Sequence, residues 1–208
     1  MTLIDNLIEQ GWLKTPEIIK AFRAVKREDF LGDGYKDMAE VDEPFPIGYG
    51  QTISQPLVVA FMLEKLEPKA GNKILDVGSG SGWTSALLAH IVGTNGKIIG
   101  IEIVPDLREL GENNARKYGF IAQDRVKFIL GDGRKGYPQE APFDRILCSA
   151  SADGFPSVWK EQLKISGKIV MPINNSICVF TKKADGSFEK EEYPGFVFVP
   201  LIKSQHNV

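Results

Sequence analysis

The chain is 208 residues long with 43% hydrophobic and 25% charged residues, which matches one globular domain with a sizeable core and excludes a disordered or fibrous chain. Its 25 Lys and Arg stand against 27 Asp and Glu for a net charge of -2, so nucleic acid is not an expected partner. Cys148 and Cys178 are too few for a disulfide framework, and with His90 and His206 as the only histidines a Cys/His zinc site is not expected either.

The N-terminus, MTLIDNLIEQGWLK, carries acids where a secretory signal needs positive charge, and no apolar run approaches the roughly 18 residues of a membrane span. A soluble, cytoplasmic protein with no membrane partner is expected. Leu3, Ile4, Leu7 and Ile8 recur at helical spacing, which predicts a first amphipathic helix from Thr2 to about Gly11. Thr15-Pro16 predicts the start of a second, with Thr15 as its cap. From Asp42 to Pro56 the run DEPFPIGYGQTISQP is too rich in proline and glycine for a helix or central strand, and its apolar members favour a functional loop packed on the body. Ser54 then suits the N-cap of an apolar helix from Pro56 to about Glu67.

Beyond Gly71 buried strands (KILDVG, KIIGIEI, VKFILGD, FDRILCSA, KIVMPI) alternate with helices starting near Trp83, Pro105 and Pro156. This order predicts an α/β fold with a mostly parallel sheet and helices on both faces. Asp185-Gly186 between alternating segments predicts a C-terminal antiparallel hairpin, and GFVFVPLI reads as one more strand. The single expected domain thus has N-terminal helices and a site loop (1–70), an α/β core (71–173) and a C-terminal hairpin with a last strand (174–208).

In ILDVGSGSGW the glycines Gly78, Gly80 and Gly82, with Ser79 between them, follow a strand and precede a helix. Such a turn brings a ligand close to the backbone and to free N–H groups. A triphosphate loop needs Lys and a hydroxyl after its last glycine, yet Trp83 and Thr84 follow Gly82. A dinucleotide fingerprint would place its third glycine at Trp83. The remaining pattern, glycines at every second position led by Asp76, is that of class I methyltransferases of Rossmann-like fold, whose cofactor is S-adenosylmethionine. Glu102, at the end of the next strand, is placed to accept from both ribose hydroxyls. Asp132, in GDGR one strand later, is placed to accept from the adenine amino group, with the neighbouring Gly133 N–H for a ring nitrogen. The three acids also make the cleft negative, which suits a sulfonium cation.

PIGYGQTISQP (46–56), GDGRKGY (131–137), APFD (141–144), EQLKISGKIVMPI (161–173) and FVPL (198–201) together resemble the protein-L-isoaspartate O-methyltransferases. The resemblance implies methyl transfer from S-adenosylmethionine to the α-carboxylate of L-isoaspartyl residues in damaged proteins. It implies Ser54 as the functional residue of the loop, with Gln51, Thr52 and Ile53 bordering cofactor and substrate. The chain departs from the family pattern at VKREDF, CSASAD, Ser166 and INNSICVF. A methyltransferase of the same fold acting on another peptide carboxylate, and a noncatalytic cofactor-binding protein, are the alternatives. By chemistry alone Ser54 is either a donor to the acceptor carboxylate or only a helix cap. Cys148, inside an apolar run, reads as a packed thiol rather than a nucleophile. A monomer is expected.

Overall fold

The computed structural model describes residues 1–202, so His206 lies outside the described residues. Helix α1 (Leu3–Glu9) starts from a reciprocal cap: the Thr2 hydroxyl accepts from the Asp5 N–H, and the Asp5 carboxylate accepts from the Thr2 N–H. Helix α2 (Pro16–Ala24) has Pro in its first turn as expected. Thr15 stands at the cap position but does not cap. Its hydroxyl donates instead to Glu64 at 2.7 Å, a charged acceptor that also takes the Lys14 and Thr15 N–H groups. Two 3-10 turns, Arg27–Phe30 and Asp33–Met38, lead into a small antiparallel pair, β1 (Phe45–Gly48) and β2 (Gln51–Ile53). The proline- and glycine-rich segment therefore holds a hairpin separate from the main sheet.

Helix α3 (Pro56–Leu66) follows, and here the capping expectation for Ser54 fails. The cap position belongs to Gln55, and the Leu57 N–H donates to the carboxylate of Asp42 at 2.8 Å. A carboxylate presented by the folded-back loop is a stronger acceptor for helix N–H groups than a neighbouring hydroxyl, and it favours the positive end of the helix dipole.

The remaining elements are β3 (Lys73–Val77), α4 (Trp83–Val92), β4 (Lys97–Glu102), α5 (Pro105–Arg116), β5 (Val126–Leu130), β6 (Phe143–Cys148), α6 (Val158–Gln162), β7 (Leu163–Ile173), β8 (Ser176–Lys182) and β9 (Phe188–Pro194). They form a seven-stranded sheet of order β5-β4-β3-β6-β7-β8-β9, parallel from β5 to β7 and antiparallel in its last two pairs. Alternate strand residues go to opposite faces: Ile74 and Ile98 join the core on one side of the sheet, Leu75 and Ile99 the core on the other. Burial on both faces explains why these strands read as unbroken apolar runs. The chain order reverses at β3, which pairs with β4 on one side and β6 on the other, so a crevice opens beyond their carboxyl ends.

GFVFVPLI is not a strand of the sheet. Past β9 the chain turns at Gly195 (φ +101°) and crosses to the crevice, where Ser151 donates to Val199 O and Leu201 donates to Ser151 O. Ser166 adopts φ +62°, a left-handed conformation that glycine takes at less cost.

Candidate active site

The crevice is a cavity of about 780 Å³ including its open mouth, within the usual range for small-molecule sites. The hairpin and the turn after it supply Ile47, Gln51, Thr52, Ile53 and Ser54. The glycine loop supplies Gly78, Ser79, Gly80 and Ser81, and the start of α4 adds Trp83 and Thr84. Glu102 stands at the end of β4 with Ile103 and Val104 beyond it, and Gly131 and Gly133 lie after β5. The opposite wall is Ser149, Ala150 and the segment 199–202. Glu102 is the one charged side chain among these wall residues.

Glu102 is deeper than a solvated strand end, at 6% exposure, and its carboxylate accepts from three backbone N–H groups. Oε2 takes Gly80 at 2.9 Å, and Oε1 takes Ile103 at 2.8 Å and Val104 at 3.0 Å. It thus fixes the glycine loop while facing the cavity. Gly78 and Gly80 have φ of +74° and +50°, and the Gly78 and Ser79 N–H groups donate to Ile101 O. Ser79 Oγ and Trp83 Nε1 are buried with no partner among the described residues. Two orphaned polar groups on the wall of a glycine-turned, acid-ended cavity match what a polar adenosyl ligand requires.

Three residues expected at the cofactor do not reach the cavity surface. Asp76 is fully buried behind the loop, where one oxygen accepts from the Ser85 hydroxyl at 2.6 Å and the other has no partner. Burial pushes its carboxyl up to about 7; the Ser85 bond opposes this and nearby Glu102 adds to it. Gly82 (φ +85°) serves packing: a Cβ there would lie 2.7 Å from the Gly111 carbonyl oxygen, so glycine lets α5 approach the loop. Asp132 is turned onto Arg134, which donates to it through Nε at 2.9 Å, Nη2 at 2.5 Å and its backbone N–H at 3.0 Å. The hydrogen bonds from Arg134 hold the Asp132 carboxyl below its ordinary range.

The turn bearing Gly131 and Gly133 is held from α6. Trp159 Nε1 donates to Gly133 O at 3.1 Å, and Gln162 accepts from the Tyr137 N–H and donates to Lys135 O. Neither side chain was expected at the site, since each acts from about 26 residues away along the chain. Cys148 is buried, its thiol donating to Ala150 O at 3.2 Å and pushed up to about 12 by burial, which leaves no thiolate for nucleophilic chemistry. His90 lies on α4 and is not a wall residue. Among the described residues no group of three or more His, Cys, Asp or Glu is arranged to hold a metal ion, and no helix is long and apolar enough to cross a membrane.

A family model described as Protein-L-isoaspartate(D-aspartate) O-methyltransferase matches residues 1–206. The protein-L-isoaspartate O-methyltransferase of Methanopyrus kandleri is 42% identical over 205 residues, covering 96% of this chain and 89% of that one. Protein-L-isoaspartate O-methyltransferase 2 of Archaeoglobus fulgidus is 42% identical over 188 residues, covering 89% of this chain and 84% of that one. Among solved structures, a putative protein-L-isoaspartate O-methyltransferase from Plasmodium falciparum in complex with S-adenosyl-L-homocysteine superposes with a TM-score of 0.87 at 27% identity, covering 98% and 97% of the two chains.

Proposed function

The chain belongs to the protein-L-isoaspartate(D-aspartate) O-methyltransferase family, and from that premise we propose how its cavity divides the work of the reaction. It is an S-adenosylmethionine-dependent enzyme that methylates the α-carboxylate of L-isoaspartyl residues in damaged proteins. The bound cofactor supplies an electrophilic methyl group on a sulfonium. Glu102 accepts from the ribose hydroxyls, and the backbone of Gly78 to Gly80 and of Gly131 to Gly133 borders the rest of the cofactor. Asp132 is left out of that set because, unlike Glu102, it does not line the cavity but is turned onto Arg134, and Asp76 and Gly82 act behind the loop.

Ser54 is the hydroxyl that donates to the acceptor carboxylate. Its side chain is released from capping by Asp42 and stands on the wall shared with the glycine loop. The observation that carries this reading is that one cavity joins the 51–54 segment to the glycine loop and Glu102 with no cationic side chain among its described wall residues. An α-carboxyl titrates near 3.3 to 3.7 in reference peptides, so about neutral pH it arrives ionised and no general base is required. What remains is to orient it by a hydroxyl and amide donors and to strip water from it. Gln51, Thr52 and Ile53 flank that position.

The pH dependences of turnover and of stability should therefore separate. Turnover at saturating cofactor and peptide is expected to be flat between about pH 6 and 8. Stability is expected to respond to Asp76, whose folded pKa of about 7 lies above its ordinary 3.8. A raised carboxyl favours the protonated fold, so its contribution worsens as pH rises from about 4 to about 7 and is constant above that. Urea unfolding should show Asp76→Asn gaining on the parent across that window. A one-proton rise in saturated turnover between about pH 6 and 8 contradicts the base-free chemistry, and a pH-independent stability difference contradicts the Asp76 assignment.

A further inference from the structure

Arg27 is buried to 6% exposure although, among the described residues, no acidic side chain is hydrogen-bonded to it. Its two terminal nitrogens are spent on main-chain carbonyls: Nη1 donates to Val41 O at 2.8 Å and Nη2 to Glu43 O at 2.6 Å, with longer contacts of 3.4 Å to Ala39 O and Ser54 O, while Nε is buried without a partner among the described residues. It also lies 5.3 Å from the ring centre of Phe45, at the start of the hairpin, and 5.5 Å from that of Trp83, on the cavity wall. Burial lowers its pKa to about 10, with Asp42 opposing, so the fork stays charged at neutral pH. Asp42 itself accepts from Leu57 N and from Gln55 Nε2 at 3.1 Å, just beyond Ser54.

Desolvating a cation costs stability, and a core can be filled without one. A planar fork with several donors is suited to gathering carbonyls from different turns of one loop, which the point charge of lysine is not. We propose that Arg27, seconded by Asp42, is a positioning residue that clamps the 39–57 segment and so sets Ser54 against the glycine loop. The inference rests on the assignment of Ser54 to the acceptor carboxylate. It places specificity for acceptor geometry in a residue outside the cavity wall.

Arg27→Lys keeps a cation between the two rings and removes the fork. The expected protein is folded, binds S-adenosylhomocysteine in calorimetry as the parent does, and exchanges the amides of Thr52 to Gln55 faster while those of Ile98 to Ile101 stay protected. Its kcat on an isoaspartyl peptide is expected to fall by about 10- to 100-fold, the usual penalty of a small displacement of a reacting group. Unchanged loop exchange, or acceleration shared equally by loop and sheet, overturns the clamp and leaves Arg27 a merely structural residue. Should Arg27→Lys not fold, Asp42→Asn decides: it must loosen the same loop amides and lower kcat several-fold, and parental values for both overturn the proposal. If the parent itself leaves isoaspartyl peptides unmethylated, the functional reading fails, whereas loop exchange and cofactor affinity still judge the clamp.

Discussion

Glu102→Gln is expected to weaken S-adenosylmethionine binding by about 10- to 150-fold, the equivalent of roughly 1.5 to 3 kcal/mol for hydrogen bonds to a charged acceptor. The amide keeps one oxygen for the Ile103 and Val104 N–H groups, but its NH2 then faces the Gly80 N–H, and the ribose side loses an acceptor. Glutamine is the informative substitution because alanine does more than remove a ligand group. Glu102 is buried, at 6% exposure, and serves the fold as well as the ligand. Glu102→Ala strips the acceptor from three backbone donors at once, so its stability should drop as well as its affinity. Calorimetry on folded Glu102→Gln showing parental affinity contradicts the ribose assignment.

Ser54→Ala is expected to lower kcat by about 10- to 100-fold, one decade for each 1.36 kcal/mol of lost transition-state stabilisation. Cofactor affinity should change little, since the glycine loop and Glu102 are untouched. Sequence alone left a helix-cap reading of this hydroxyl open, under which the substitution would cost about 0.5 to 2 kcal/mol of stability. With Asp42 holding the start of α3, that loss is no longer expected, and the Tm of Ser54→Ala should stay close to that of the parent. Wild-type kcat in the fully folded variant contradicts the role given to Ser54. A large fall in Tm contradicts the assignment of the cap to Asp42.

The parallel part of the fold was legible because two-sided burial leaves its mark in sequence as Ile- and Leu-rich strands such as KILDV and KIIGIE separated by amphipathic helices. The glycine loop was legible because positive φ at Gly78 and Gly80 restricts residue type. GFVFVPLI was misread for a definable reason: apart from the exposed Val197, its apolar residues pack on a wall and not in a ladder. Phe196 stacks on Phe61 at 5.2 Å, and Val199 and Leu201 line the cavity, so extended chain laid on a core carries the same alternation as a strand. The Asp42 cap lies 15 residues before the Leu57 it serves, too far for any local cue. Arg134, two residues after Asp132, was a visible competitor for that carboxylate, and GDGR already contained it. Arg27 stood in VKREDF as an ordinary charged residue, and only the folded loop shows four carbonyls converging on it.

An enzyme that repairs isoaspartyl proteins must methylate the isoaspartyl α-carboxylate and leave a normal aspartyl side chain alone. Transfer of radiolabelled methyl from S-adenosylmethionine to two peptides of identical sequence, one with L-isoaspartate and one with L-aspartate, measures that discrimination. Base-labile ester is expected on the isoaspartyl peptide alone, with turnover that falls by about 10- to 100-fold in Ser54→Ala. Equal labelling of both peptides, or none on either by a folded protein that binds the cofactor, would contradict the proposed function.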